Sequence, residues 1–163
     1  MCIDLIEIDK DRRASYLNLL LIGDEDEKVV KSYINEGSLF TIVYEKKEIG
    51  VVQCLTDEEE RAVEVKNIGL KEAYRGKGIG SKVIKKLEVL YEDNHYSKMI
   101  VGTADSSLEN ISFYKKAGFY QRGVKKNFFL QYVPPIYENG LQAIDMIMFE
   151  KIKKQKRLTR FCF

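Results

Sequence analysis

The chain has 163 residues, 45% hydrophobic and 32% charged, with a formal net charge of +2. This suits one domain with a sizeable core and gives no bulk-charge reason to expect a nucleic-acid partner. No apolar run approaches the ~18 residues of a bilayer span, and Met1-Cys2-Ile3-Asp4-Leu5 lacks the regions of a secretion signal, so no membrane partner is expected. The three cysteines, Cys2, Cys54 and Cys162, are far apart. Neither a disulfide framework nor a zinc pair is expected, and reduced thiols in a cytoplasmic protein are the reading.

In chain order, Ile3 to Ile8 reads as a strand. Asp11 to Leu21, apolar at Ala14, Leu17, Leu20 and Leu21, reads as a helix. Gly23-Asp24-Glu25-Asp26-Glu27 breaks it and offers acid to a second helix, Lys28 to Asn35, which Gly37 closes. That acid reads as helix-start charge, or as an attractor for a cationic amine. Ser38 to Tyr44 and Glu48 to Leu55 form a hairpin around Glu45-Lys46-Lys47. Thr56 to Arg61 is a solvated loop. Val63 to Leu70 is a strand, with Val63 and Val65 inward and Glu64 and Lys66 outward. A helix runs from Ile79 to about Asn94, with Ile79, Val83, Ile84, Leu87 and Leu90 on one face. Lys98 to Thr103 is a strand, Ser107 to Ala117 a helix stopped by Gly118, and Phe119 to Val124 a strand. Asn127 to Ile136 is aromatic and irregular, broken at Pro134-Pro135. Gln142 to Phe149 is the last strand. The main domain spans 1–152, and residues 153–163 form a basic tail.

Between strand and long helix stands Tyr74-Arg75-Gly76-Lys77-Gly78-Ile79-Gly80-Ser81-Lys82. Strand, glycine loop and helix make an anion trap. The first helix amides have no internal partner, the helix dipole is positive there, and glycine lets a phosphate approach the backbone. A Walker loop needs a hydroxyl residue after its lysine and a second glycine where Ser81 stands, so it fails. The dinucleotide fingerprint lacks its third glycine at the same place. The pattern [QR]-x-x-G-x-[GA] is met at every position from Arg75 to Gly80. Downstream, Asn110 and Tyr114 lie four apart on one helix face, next to Ile111 and Phe113, before Gly118-Phe119.

Together these segments resemble the GCN5-related N-acetyltransferase (GNAT) superfamily. The likeness covers most of the chain and is strongest from Glu64 to Phe119. It implies an α/β fold of the α+β type. That fold has a mixed, mostly antiparallel central sheet of six to seven strands and about four helices, with splayed parallel central strands forming an acetyl-CoA cleft. It implies that Arg75, Gly76, Lys77, Gly78, Ile79, Gly80 and Ser81 hold the coenzyme pyrophosphate, and that Asn110 and Tyr114 flank the pantetheine arm. Glu72 stands where the family often has proline, which touches loop rigidity only.

The implied activity is acetyl transfer from acetyl-CoA to a primary amine of a small molecule or peptide, by direct attack in a ternary complex. An alkylamine has a pKa near ~10, so a base must help at neutral pH; the resemblance puts Glu64 at that position. Backbone N–H groups of Ile68, Gly69 and Leu70 would serve the oxyanion if the strand bulges at Gly69. Tyr114 would protonate the leaving thiolate. Acetyl-CoA is expected as cosubstrate, without a metal. The single histidine, His95, reads as a surface residue at a helix end, and Cys54 as a core thiol. The aromatic stretch from Phe128 to Tyr137 would roof the acceptor pocket or make a homodimer contact. The alternatives are a degenerate acyl-CoA-binding module without turnover and a nucleotide-binding protein using the same loop.

Overall fold

A computed structural model describes residues 2–92 and 94–153. The elements are β1 (Ile3–Glu7), α1 (Leu17–Gly23), α2 (Glu27–Tyr33), β2 (Ser38–Tyr44), β3 (Lys47–Asp57), β4 (Ala62–Leu70), α3 (Ile79–Glu92), β5 (Lys98–Ala104), α4 (Leu108–Lys116), β6 (Tyr120–Lys125), β7 (Tyr137–Glu138), β8 (Leu141–Gln142) and β9 (Met146–Ile152). Short 3-10 segments cover Lys10–Tyr16, Glu72–Tyr74 and Phe128–Gln131. Seven strands form one sheet in the order β1-β2-β3-β4-β5-β9-β6, and β7 and β8 make a separate hairpin. Among the described residues only β4 and β5 pair in parallel; the other neighbours are antiparallel. This is the expected mixed sheet with four helices.

The alternation of side chains across the strands builds a core on each face. On one face α3 and α4 bring Val83, Ile84, Leu87 and Tyr114, with Phe119 just past α4, onto Val52, Cys54, Val63, Val65, Met99, Val101 and Phe149. On the other, α1 and α2 bring Leu20, Val30, Tyr33 and Ile34 onto Leu39 and Val51.

The feature that positions the site is where β4 leaves β5. Their ladder joins Ala62–Val65 to Lys98–Val101 and stops. Beyond it β4 stays with β3 as far as Leu70 opposite Gly50, and β5 stays with β9 as far as Ala104 opposite Met146. The two strands therefore splay from Val65 and Val101 upward. A β-bulge sits at the fork: Gln53 faces Asn67 and Cys54 faces Val65, which leaves Lys66 as the extra residue. A bulge bends its strand and adds twist. The bulge therefore falls at Lys66 rather than at Gly69. Gly69 instead admits α1, since a Cβ there would lie 2.6 Å from the Leu19 carbonyl oxygen and 3.2 Å from Gly23 N.

Other departures have local causes. The first helix begins as 3-10 turns over Lys10–Tyr16 and becomes α only at Leu17. Arg13 lies buried there and donates to the carbonyls of Ile8, Ile34, Glu36 and Gly37, an anchor that apolar spacing does not reveal. Gly37 is not the helix cap, because α2 ends at Tyr33. It turns the chain into β2 with φ +54, where a Cβ would strike the Cys54 carbonyl oxygen. The hairpin turn is two residues, Glu45 (φ 49) and Lys46 (φ 62), so Lys47 belongs to β3. That geometry is usually given to Asn-Gly. The last strand starts at Met146, not Gln142. Asp145 closes the preceding loop by accepting from Asn127 N and Lys126 Nζ while its carbonyl takes the Asp105 N–H. Gln142 belongs to β8, a hairpin absent from the sequence reading. Just before the tail, Lys151 of β9 pairs with Glu88 at 2.6 Å; of the tail itself, residues 154–163, Cys162 among them, lie outside the described residues.

Candidate active site

The glycine loop runs from the end of β4 into α3. Arg75 folds back, its Nε donating to the Leu70 carbonyl at 3.0 Å, which staples loop to strand. Gly76 and Gly78 adopt φ +71 and +79 with nothing within 4 Å of where a Cβ would stand, so they are needed for conformation and leave open space. Gly80 serves packing: a Cβ there would lie 3.1 Å from the Phe113 ring of α4. The first amide with a helical partner is Lys82 N–H, on the Gly78 carbonyl at 3.3 Å. By helix geometry the amides of Ile79, Gly80 and Ser81 have no intrahelical acceptor. Arg75, Lys77 and Ser81 are exposed around them.

The splayed end of β4 supplies further free donors. Lys71 N–H donates to the Ile49 carbonyl at 2.9 Å. In an antiparallel ladder N–H groups alternate in direction, so Gly69 also faces β3, while the N–H groups of Ile68 and Leu70 face the opening. Of the three expected oxyanion donors, two are thus oriented toward the cleft and Gly69 is not.

Tyr114 is buried in the core on the α3/α4 face. Its ring packs edge-on to Phe113 (5.1 Å between centroids) and Phe119 (5.5 Å) and tilts against Phe149 (6.3 Å). Burial pushes its phenol well above the ordinary range. Among the described residues its hydroxyl has no hydrogen-bond partner, and it is not one of the sealed polar atoms. Asn110, one turn earlier, is exposed. The shared helix face is therefore buried at Tyr114 only.

The opposite face of the fork holds Glu64 and Lys66. Val63 and Val65 point into the α3/α4 core, so Glu64 points to the α1/α2 side. Glu64 is half-buried and has no hydrogen-bond or ion-pair partner among the described residues. Lys66, raised by the bulge, lies with its Nζ 5.2 Å from the centre of the Tyr33 ring. Beneath it runs a buried polar relay: Asn67 Nδ2 donates to the Leu20 carbonyl and to the Tyr33 hydroxyl, both at 2.9 Å. The Tyr33 hydroxyl in turn donates to Asp24 Oδ2 at 3.0 Å. Burial raises the Asp24 carboxyl despite these bonds, and burial with the neighbouring Asp24 raises the Tyr33 phenol. The buried Tyr132 reaches across from the Phe128–Gln131 turn, its phenol pushed up to about 12 by burial and by the Asp24 and Asp26 carboxylates. The aromatic segment therefore does adjoin the α1–α2 turn.

The acid of that turn is mostly spent on structure. Asp24 Oδ1 accepts from Asp26 N at 3.2 Å, and Asp26 Oδ1 caps α2 through Val29 N at 3.1 Å. The Asn67–Tyr33–Asp24 relay is missing from the sequence reading, since Asn67 lies 34 residues beyond Tyr33 and only the register of β4 brings it there. His95 ends the α3 region with φ 63 and lies exposed, and Cys54 is buried with its thiol pushed up to about 12. Among the described residues no helix is long and apolar enough to cross a membrane.

Comparisons with known proteins agree with this geometry. An uncharacterised N-acetyltransferase of Bacillus subtilis, YvbK, is 31% identical over 147 residues, covering 87% of this chain and 92% of that one. A GNAT family acetyltransferase from Elizabethkingia anophelis, solved with acetyl-CoA bound, superposes with a TM-score of 0.84 at 29% identity over 93% of this chain and 98% of that one. A Bacillus subtilis acetyltransferase solved with CoA gives 0.80 at 29% identity, with coverage of 93% and 98%. The profile of the acetyltransferase (GNAT) family matches residues 5–119. The chain belongs to the GNAT acetyltransferase family.

Proposed function

We propose that this chain transfers an acetyl group from acetyl-CoA to a primary amine of a small molecule or peptide. The observation that carries the reading is the fork itself. Past Val65 and Val101 the strands part, leaving the Ile68 and Leu70 amides directed into the gap between the α3 N-terminus and Tyr114. A diphosphate suits the amides of residues 75–81, and an extended amide-bearing arm suits the free edge of β4.

The chemistry follows from the two faces of the fork. The coenzyme lies on the α3/α4 side, and the amine reaches the thioester carbon from the α1/α2 side. Glu64, directly or through one water, takes the proton that the attacking nitrogen must lose. A C–N bond forms, and the carbonyl oxygen gains charge that a free β4 amide receives. The C–S bond then breaks, and the Tyr114 hydroxyl gives its proton to the departing sulfur. Asn110, exposed on the turn before Tyr114, is proposed as a contact for the coenzyme arm.

Two measurements test this. Acetyl-CoA should raise the melting temperature of the chain while ATP should not, because only a ligand of the folded state stabilises it. An amine library with acetyl-CoA, read by thiol release, should then find a turned-over acceptor. Slow thioester hydrolysis unaffected by any amine would mean a binding module instead. A shift with ATP and none with acetyl-CoA would discard the acetyltransferase reading.

A further inference from the structure

We propose that Lys66 binds a carboxylate on the acceptor, so that the acceptor is a free amino acid or a similar small zwitterion rather than a polyamine or a peptide amino terminus. The inference rests on the reading of the fork given above.

Four observations lead to it. Lys66 is the extra residue of the bulge at the mouth of the fork, on the side that α3 and α4 leave for an acceptor. Its ammonium lies over the Tyr33 ring and feels the Asp24 carboxylate, but it forms no salt bridge among the described residues. A face-on aromatic contact holds a cation in place without neutralising it. Glu64, two residues earlier on the same face, also has no partner among the described residues, Lys66 included. The strand therefore presents, two residues apart on one face, a carboxylate without a partner and an ammonium without a salt bridge among the described residues, a pairing that a small molecule carrying both an amine and a carboxylate would complement.

Two of the neighbouring acids are largely tied up in structure, which weakens this turn as a site for a polycation. Asp24 has both oxygens engaged, by the Asp26 amide and the Tyr33 hydroxyl, and Asp26 has one oxygen committed to the cap of α2. In this arrangement Glu64 faces the acceptor nitrogen and Lys66 holds the far end. The bulge and the Tyr33 ring fix the lysine before the acceptor arrives, which limits the entropy lost on binding.

The test uses the full chain, acetyl-CoA and matched acceptors: the common L-amino acids, each against its carboxamide, with spermidine and a short unblocked peptide alongside. At least one amino acid should exceed its carboxamide by about 10-fold or more in kcat/KM, since a site built for a charged partner rejects the analogue lacking it. Lys66→Met should erase that preference, mainly through KM for the amino acid, and leave KM for acetyl-CoA within about 2-fold. Lys66→Arg should keep most of it. Preference for carboxamides, spermidine or the peptide, with acetyl-CoA still raising the melting temperature, overturns the inference and leaves the acetyltransferase reading standing. So does an amino-acid preference that survives in Lys66→Met. Failure of acetyl-CoA to bind at all overturns both.

Discussion

The Asn67 side chain of β4 donates to the Tyr33 hydroxyl of α2 at 2.9 Å, tying the helical layer to the strand one residue beyond its bulge. Tyr33 passes the bond on to Asp24. Tyr33→Phe removes the shared hydroxyl and leaves the buried Asn67 amide with one partner fewer. A loss of about 1–3 kcal/mol is expected, seen as a lower denaturation midpoint in urea. An unchanged midpoint would show that the relay is not a structural tie.

The same relay sets a pH dependence. Burial raises the folded-state pKa of Asp24, so between the unfolded carboxylate value of about 3.9 and that raised value the folded state holds more protons than the unfolded one. Stability from this group is thus present at acid pH and declines as pH rises through the folded pKa. Asp24→Asn should flatten that decline in melting temperature across the mildly acid range. The idea is sunk if wild type and variant run parallel there.

Gly69 and Gly78 should fail in different ways. Gly69→Ala drives a methyl to within 2.6 Å of a backbone oxygen of α1, and overpacking of this kind costs about 1–3 kcal/mol. Gly78→Ala meets nothing within 4 Å but must hold φ +79, a strain of about 1–2 kcal/mol in the loop itself. Unfolding curves should move for both, but only Gly78→Ala should weaken the loop's grip on a ligand. Calorimetric affinity for CoA should fall about 10-fold for Gly78→Ala. Equal CoA affinity in wild type and Gly78→Ala would remove the loop from the binding site.

Tyr114→Phe should lower kcat by about 10- to 1000-fold, the range for a lost proton donor or less, with CoA affinity nearly unchanged. Because its hydroxyl has no internal partner among the described residues, stability should hardly move. Burial raises its pKa, so the hydroxyl stays protonated as pH rises and the deficit should be similar at pH 7 and pH 9. A deficit that vanishes at either pH would argue against the donor role.

Glu64→Gln should cut kcat/KM for the amine by about 100- to 10,000-fold near neutrality. The gap should narrow as pH approaches the amine pKa of about 10, where the acceptor loses its own proton. Wild-type rates at pH 7 would move the base elsewhere.

Much of this protein is written locally. The glycine loop is legible because left-handed turns and free helix amides are properties of a few adjacent residues, and Gly76 and Gly78 take those conformations. The long helix is legible because its apolar side chains share one stripe, of which Ile79, Val83, Ile84 and Leu87 are buried while Leu90, expected with them, is exposed, and Val63 with Val65 mark the inward face of β4 by simple alternation. The fork, the bulge at Lys66 and the Asn67–Tyr33–Asp24 relay were decided only when the strands and helices came together. Register is a relation between strands, and the point where one ladder ends is not encoded in either strand alone. Gly69 shows the limit: its place in the sequence suits a bulge, but the close approach of α1 from some fifty residues upstream settled what it is for.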